Sequence, residues 1–130
     1  MTRLLLAGLA AADGARAIVA LAFPELWFRL VHGALYLDPQ ALLRRAGAAW
    51  IALAILEAVA LTRSAREPGW LAAVAGARCA EVLSDWMYLA LADRVTEGAT
   101  VYLAVAPLAN FAAALALAAA YRASRPPPVR

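Results

Sequence analysis

Four stretches of this chain, residues 4–23, 41–61, 69–92 and 100–121, are long, mostly apolar and separated by short polar punctuation. A helix needs about 20 predominantly apolar residues to cross the hydrocarbon core of a bilayer, and each stretch meets that length. Composition agrees, since 65% of the 130 residues are hydrophobic and the mean hydropathy is +0.71, outside the range of ordinary soluble domains. A soluble globule of this size would need a polar coat that these residues cannot supply, whereas lipid accepts an apolar exterior and forces the backbone into helices. The sequence therefore predicts an all-α, integral membrane four-helix bundle. It forms a single domain over 1–122, followed by a mobile, basic, proline-rich tail over 123–130, "ASRPPPVR".

The connections carry helix punctuation. Asp38-Pro39 reads as the N-cap and first helical residue of the second span, and Glu67-Pro68-Gly69 as a turn feeding the third. Between the first two spans, "PELWFRLVHGALYLD" at 24–38 interleaves Trp27, Phe28, Leu30, Val31 and Leu35 with Glu25, Arg29 and His32, the pattern of a short interfacial helix lying along the bilayer surface. Arg3, Arg63, Arg66, Arg122, Arg125 and Arg130 fall on one side of the spans, against Arg29, Arg44, Arg45 and Arg94 on the other. The positive-inside asymmetry then puts both termini in the cytoplasm. Met1 to Ala12 also has the look of a signal peptide, with Arg3 before a short apolar run, and is expected to be retained as part of the first span.

The costly residues lie inside the spans. An ionised side chain at bilayer centre costs on the order of 3 kcal/mol on insertion scales, so such groups turn toward partners or a wet cavity. The first span carries Asp13 and Arg16, the second Glu57 and an outer Arg45, the third Arg78, Glu81 and Asp85, and the fourth Asn110. Asp13–Arg16, Arg78–Glu81 and Glu81–Asp85 have the spacings that share a helix face, and Tyr88 and Ser84 extend the third span's polar stripe, which must point into the bundle. Counting depth from each span's midpoint puts Asp13, Glu81 and Asn110 near the midplane, Arg16 and Asp85 toward the outer face, and Arg78 and Glu57 toward the cytoplasm. The expected pairs are Arg16 or Arg45 with Asp85, and Arg78 with Glu57 or Asp13. Glu81 is then a surplus acid, so either one carboxyl is protonated at neutral pH or a cation completes the site. A faint repeat, "DGARA" at 13–17 and "AGARC" at 75–79, points to a contact between the first and third spans.

Two uses of this network stand open. Asp13, Arg16, Glu57, Arg78, Glu81, Asp85, Tyr88 and Asn110 line a site for a small polar or cationic ligand or a proton, with the acids binding, the arginines orienting them and Tyr88 and Asn110 adding hydrogen bonds. Alternatively the pairs are structural, fixing the helices of an accessory subunit in a homo-oligomer or a larger membrane complex. Trp27 and Trp70 fall in the interfacial aromatic belt, while Trp50 and Trp86 lie deeper, as pocket walls beside the acids or as filling between alanine-rich helices. The small-residue pairs Gly8–Ala12 and Ala112–Ala116 allow close helix approach.

Other classes lack their residues. There is no phosphate-binding glycine loop, paired cysteine, zinc-protease histidine pair or serine elbow, so neither conventional catalysis nor a cofactor is expected. His32, without a second ligand at helical spacing, reads as a solvated interfacial residue. The net charge of +3 is scattered around span ends, which suits anionic lipid headgroups and not nucleic acid.

The plan of four short spans, a proline and interfacial stretch after the first, and "DPQALLRRAGAAWIALA" opening the second resembles small bacterial four-helix membrane proteins of the DoxX-like kind along most of the chain. That resemblance implies the fold and a bacterial inner-membrane location, and carries no functional position. The chain is also similar to small multidrug transporters in length, span number and a first-span acid. It departs from them in placing Arg16 one turn from Asp13 and a second acidic cluster in the third span, so export by their mechanism is not expected.

Overall fold

A computed structural model describes residues 1–38 and 40–124, and among these the chain is all-α, with five helices and no strand. They are α1 (Thr2–Ala22), α2 (Pro24–His32), α3 (Leu42–Arg63), α4 (Gly69–Leu91) and α5 (Glu97–Ala123). α1, α3 and α5 are long and apolar enough to cross a membrane. α4 has the length, at 23 residues, but carries Arg78, Glu81 and Asp85. The expected tail over 123–130 begins on the last residue of α5 and from residue 125 lies outside the described residues, as do Arg125 and Arg130 of the charge asymmetry.

The helix ends follow local chemistry, with two departures from expectation. The second span starts at Leu42, not at Pro39, which lies outside the described residues. Asp38 still caps it, from farther upstream: its carboxylate accepts from the N–H groups of Leu42 at 2.7 Å and Leu43 at 3.0 Å, while Ala41 turns the chain with a positive φ of 53°. The interfacial stretch is helical only to His32, because Gly33 adopts the left-handed conformation (φ 63°) that ends α2, leaving 34–38 non-helical. Thr96 opens α5 by accepting from Ala99 N–H at 3.2 Å, and α5 continues through Pro107.

α1 packs chiefly on α3 and α4 on α5, with lesser contacts of α3 on α4 and α1 on α5 closing a ring in which α1 and α4 are diagonal. Sequential long helices are antiparallel. Leu6 near the start of α1 shares one apolar cluster with Ala60 near the end of α3, and Leu71 near the start of α4 shares it with Leu117 near the end of α5. At the other end, a β-carbon on Gly47 would lie 2.9 Å from Leu21, so glycine is what lets α3 approach α1 there. The anticipated small-residue seams do not make that approach: Gly8, Ala12, Ala112 and Ala116 are exposed, and a β-carbon on Gly8 meets open space.

Among the described residues, charged side chains are buried in the middle of the bundle and large apolar ones are exposed along its sides. Asp13, Glu57 and Arg78 are at most 1% exposed, while Ile18, Ile55, Leu83, Val105, Leu108 and Phe111 project outward. One end is packed with leucine and alanine, and the charges occupy the middle.

Candidate functional site

Each of the four long helices contributes one polar side chain to a single point. Arg78 on α4 forms ion pairs with Asp13 on α1 and Glu57 on α3, and its Nη1 donates to Asn110 Oδ1 on α5 at 3.2 Å. All four side chains are buried. A guanidinium suits this position because its planar fork presents donors in several directions at once, which a lysine ammonium on a flexible stem does not.

One turn along, a second arginine faces the same acid. Arg16 pairs with Asp13 and lies 3.5 Å from Glu81, so the two diagonal helices exchange partners: the α4 arginine meets the α1 acid and the α1 arginine meets an α4 acid. The contact between the first and third spans to which the faint repeat points is made through these ion pairs. Arg16 also rests over the Trp50 ring, 5.4 Å from its centroid. Arg45, a candidate partner for Asp85, is exposed and makes no ion pair among the described residues. The reason is angular, since the buried side of α3 is set by Leu43, Gly47, Glu57 and Ala60, and a residue two positions after Leu43 points away from it. Asp85 has no ion pair either; Arg16 and Arg78 act on it only at longer range.

Beyond Arg16 the helices part into a cleft of about 710 Å³, walled by α2, the start of α3 and the facing ends of α4 and α5. Arg16, Asp85 and Tyr88 line it; Asp13, Glu57, Arg78, Glu81 and Asn110 do not, lying deeper behind Arg16. Aromatic rings make much of the wall, with Trp27 on α2 and Trp50 on α3 in contact at 5.0 Å between centroids. Trp86, expected alongside Trp50, projects outward at 47% exposure and takes no part.

α2 is held over the cleft by a clamp. His32 Nδ1 is 2.8 Å from the Arg94 carbonyl oxygen, which can only accept, so Nδ1 carries the proton and Nε2 accepts from the Tyr88 hydroxyl at 2.7 Å. Thr96 donates twice to the end of α2, through Oγ1 to Leu30 O at 2.7 Å and through its N–H to Val31 O at 2.8 Å. His32, read from the sequence as merely solvated, is therefore part of the wall. Both its partners, Tyr88 and Arg94, are distant in sequence, and no local pattern reveals them.

The charges do not balance. Among the described residues, Asp13, Glu57, Glu81 and Asp85 have only Arg16 and Arg78 to face. Glu57 Oε2, Glu81 Oε2, Asp85 Oδ2, Arg16 Nε and Arg78 Nε are buried with no hydrogen-bond partner among the described residues. No three His, Cys, Asp or Glu side chains converge as metal ligands among those residues. Comparison with protein families, with curated proteins and with solved structures found no match to this chain.

Proposed function

We propose that this chain is an integral protein of the bacterial inner membrane, built as a four-helix bundle of the DoxX-like plan, whose cleft binds a small ligand in linkage with protons at the Arg16, Glu81 and Asp85 end of its charge network. α1, α3, α4 and α5 span the bilayer with both termini in the cytoplasm, and α2 lies along the outer interface. What supports the membrane reading is the inverted polarity, with paired charges inside and leucine, isoleucine and phenylalanine outside. α4 joins the spans because it packs along α5 with its charges turned inward, leaving Leu83, Trp86, Met87 and Leu91 on its outer surface.

The observation that carries the site is the difference between the two arginines. Arg78 ties four helices together and is sealed, a structural role in which a buried guanidinium specifies which faces meet. Arg16 and Asp85 line the cleft, and Asp85 makes no ion pair or hydrogen bond among the described residues, an arrangement that serves a ligand better than it serves packing. The accessory-subunit reading uses the charges across an interface; their inward direction argues against that use.

Acridine, neutral and planar near pH 8, tests occupancy. In phosphatidylcholine nanodiscs, a W70F/W86F variant keeps the two cleft tryptophans, and its fluorescence is expected to show saturable quenching by acridine above the linear contribution of probe dissolved in lipid. A W27F/W50F variant is expected to show the linear part alone. Linear quenching in both would overturn the cleft as a binding site and favour the accessory reading.

A further inference from the structure

We propose that the cleft selects a hydrophobic organic ammonium ion, with an N–H group of the ligand donating to Asp85 and its apolar body lying against Trp27, Trp50 and Tyr102. This rests on the cleft-site reading above and names the chemistry that the cleft recognises.

Three observations converge on a cation. The first is charge: four carboxylates share two guanidiniums in an apolar surround, and one positive ligand group halves the excess without protonating an acid. The second is availability. Among the polar groups that line the cleft, both nitrogens of His32 are engaged, Tyr88 is bonded to His32, the Asp38 carboxylate caps α3, and Gln40, Ser84 and Tyr102 carry no charge, which leaves Asp85 as the free acid. The Asp85 carboxylate lines the cleft and has no donor to either oxygen among the described residues, which leaves a half-buried acid unsatisfied. An ammonium N–H is the group it lacks. The third is the wall, where electron-rich ring faces attract a positive charge and Trp50 already holds the Arg16 guanidinium in that way.

The charged groups around Asp85 are consistent with this. Arg16 from α1 faces it across the cleft and would repel a cation, but its charge is engaged by Asp13 and Glu81; Arg78, on Asp85's own helix, is engaged by Asp13 and Glu57. An anion would find Arg16 already committed to Asp13 and Glu81 and the unpaired Asp85 carboxylate beside it. A dehydrated metal ion needs several converging oxygen ligands, which the described residues do not bring together.

Three acridines of nearly one shape test the selection in phosphatidylcholine nanodiscs at pH 8 by the tryptophan-quenching readout: 9-aminoacridine, a cation protonated on its ring nitrogen that offers the positive charge and N–H donors of an ammonium on an aromatic body, neutral acridine, and anionic acridine-9-carboxylate. The expected order of affinity is cation, neutral, anion, with 9-aminoacridine at least tenfold tighter than acridine. D85N is expected to bring 9-aminoacridine to the affinity of acridine and leave acridine unchanged, while D85E keeps the preference. Should D85N fail to fold, judged by its circular dichroism melt, the wild-type series and D85E still decide. Equal affinities, tighter binding of the carboxylate, or an unchanged preference in D85N would overturn the ammonium class while leaving the cleft as a site. Absence of saturable binding by all three would overturn the cleft reading itself.

Discussion

At the scale of single residues, Arg78 and Asp85 are opposite cases on one helix face. Replacing Arg78 with methionine keeps most of the side chain's volume but strands Glu57 as a buried carboxylate, leaves Asp13 with Arg16 alone and takes from Asn110 the donor it accepts from. Breaking a buried pair from one side costs about 3–5 kcal/mol, and R78M is expected to lower the unfolding free energy in mixed detergent by that order. D85N, which removes no ion pair, is expected to change it by less than about 1 kcal/mol. Equal losses in the two variants would mean that the network has no division between a sealed knot and an open rim. The residue types and their spacings were legible in the sequence, because i,i+3 and i,i+4 neighbours share a face whatever the tertiary fold. Which acid an arginine reaches on another helix was only partly legible: Arg78 takes both of its expected acids, Asp13 and Glu57, but Arg16 takes Glu81, read as the surplus acid, and Asp85, expected to meet Arg16 or Arg45, has no ion pair among the described residues.

At the scale of elements, α2 decides whether the cleft has a wall. It is short, with no buried residue, and is held by hydrogen bonds from Thr96 and Tyr88 and by the one His32 donates to the Arg94 carbonyl as much as by packing. T96V removes both the cap of α5 and the bond to Leu30 while keeping side-chain volume. Loss of a helix cap alone costs about 0.5–2 kcal/mol. Amide exchange in 24–33 and at the first turn of α5 is expected to speed up together in T96V, with exchange around Leu6 and Leu117 unchanged; faster exchange at α5 alone would mean that α2 does not depend on the clamp. The long helices were readable because apolar runs and Pro/Gly punctuation are local signals. The cleft was not, because it exists only where α2 folds back to set Trp27 against Trp50 and His32 against Tyr88, contacts that no sequence period encodes.

At the scale of the whole molecule, the account depends on where water ends. Three helices meet a simple apolar criterion and α4 does not, so hydropathy alone leaves an odd number of crossings and puts the termini on opposite sides. The inward turn of Arg78, Glu81 and Asp85 removes that objection, since a spanning helix can carry charge on the face it hides. Cys79, the chain's one cysteine, sits mid-way along α4 on its exposed side, immediately after buried Arg78. A nitroxide attached there, in the unmutated protein reconstituted into phosphatidylcholine bilayers, samples the medium that surrounds α4. Power-saturation electron paramagnetic resonance is expected to find it accessible to oxygen and shielded from a water-soluble nickel chelate, as deep hydrocarbon requires. Ready access by the nickel chelate would put the outer face of α4 in water and contradict the four-span bundle on which the charge network and its cleft depend.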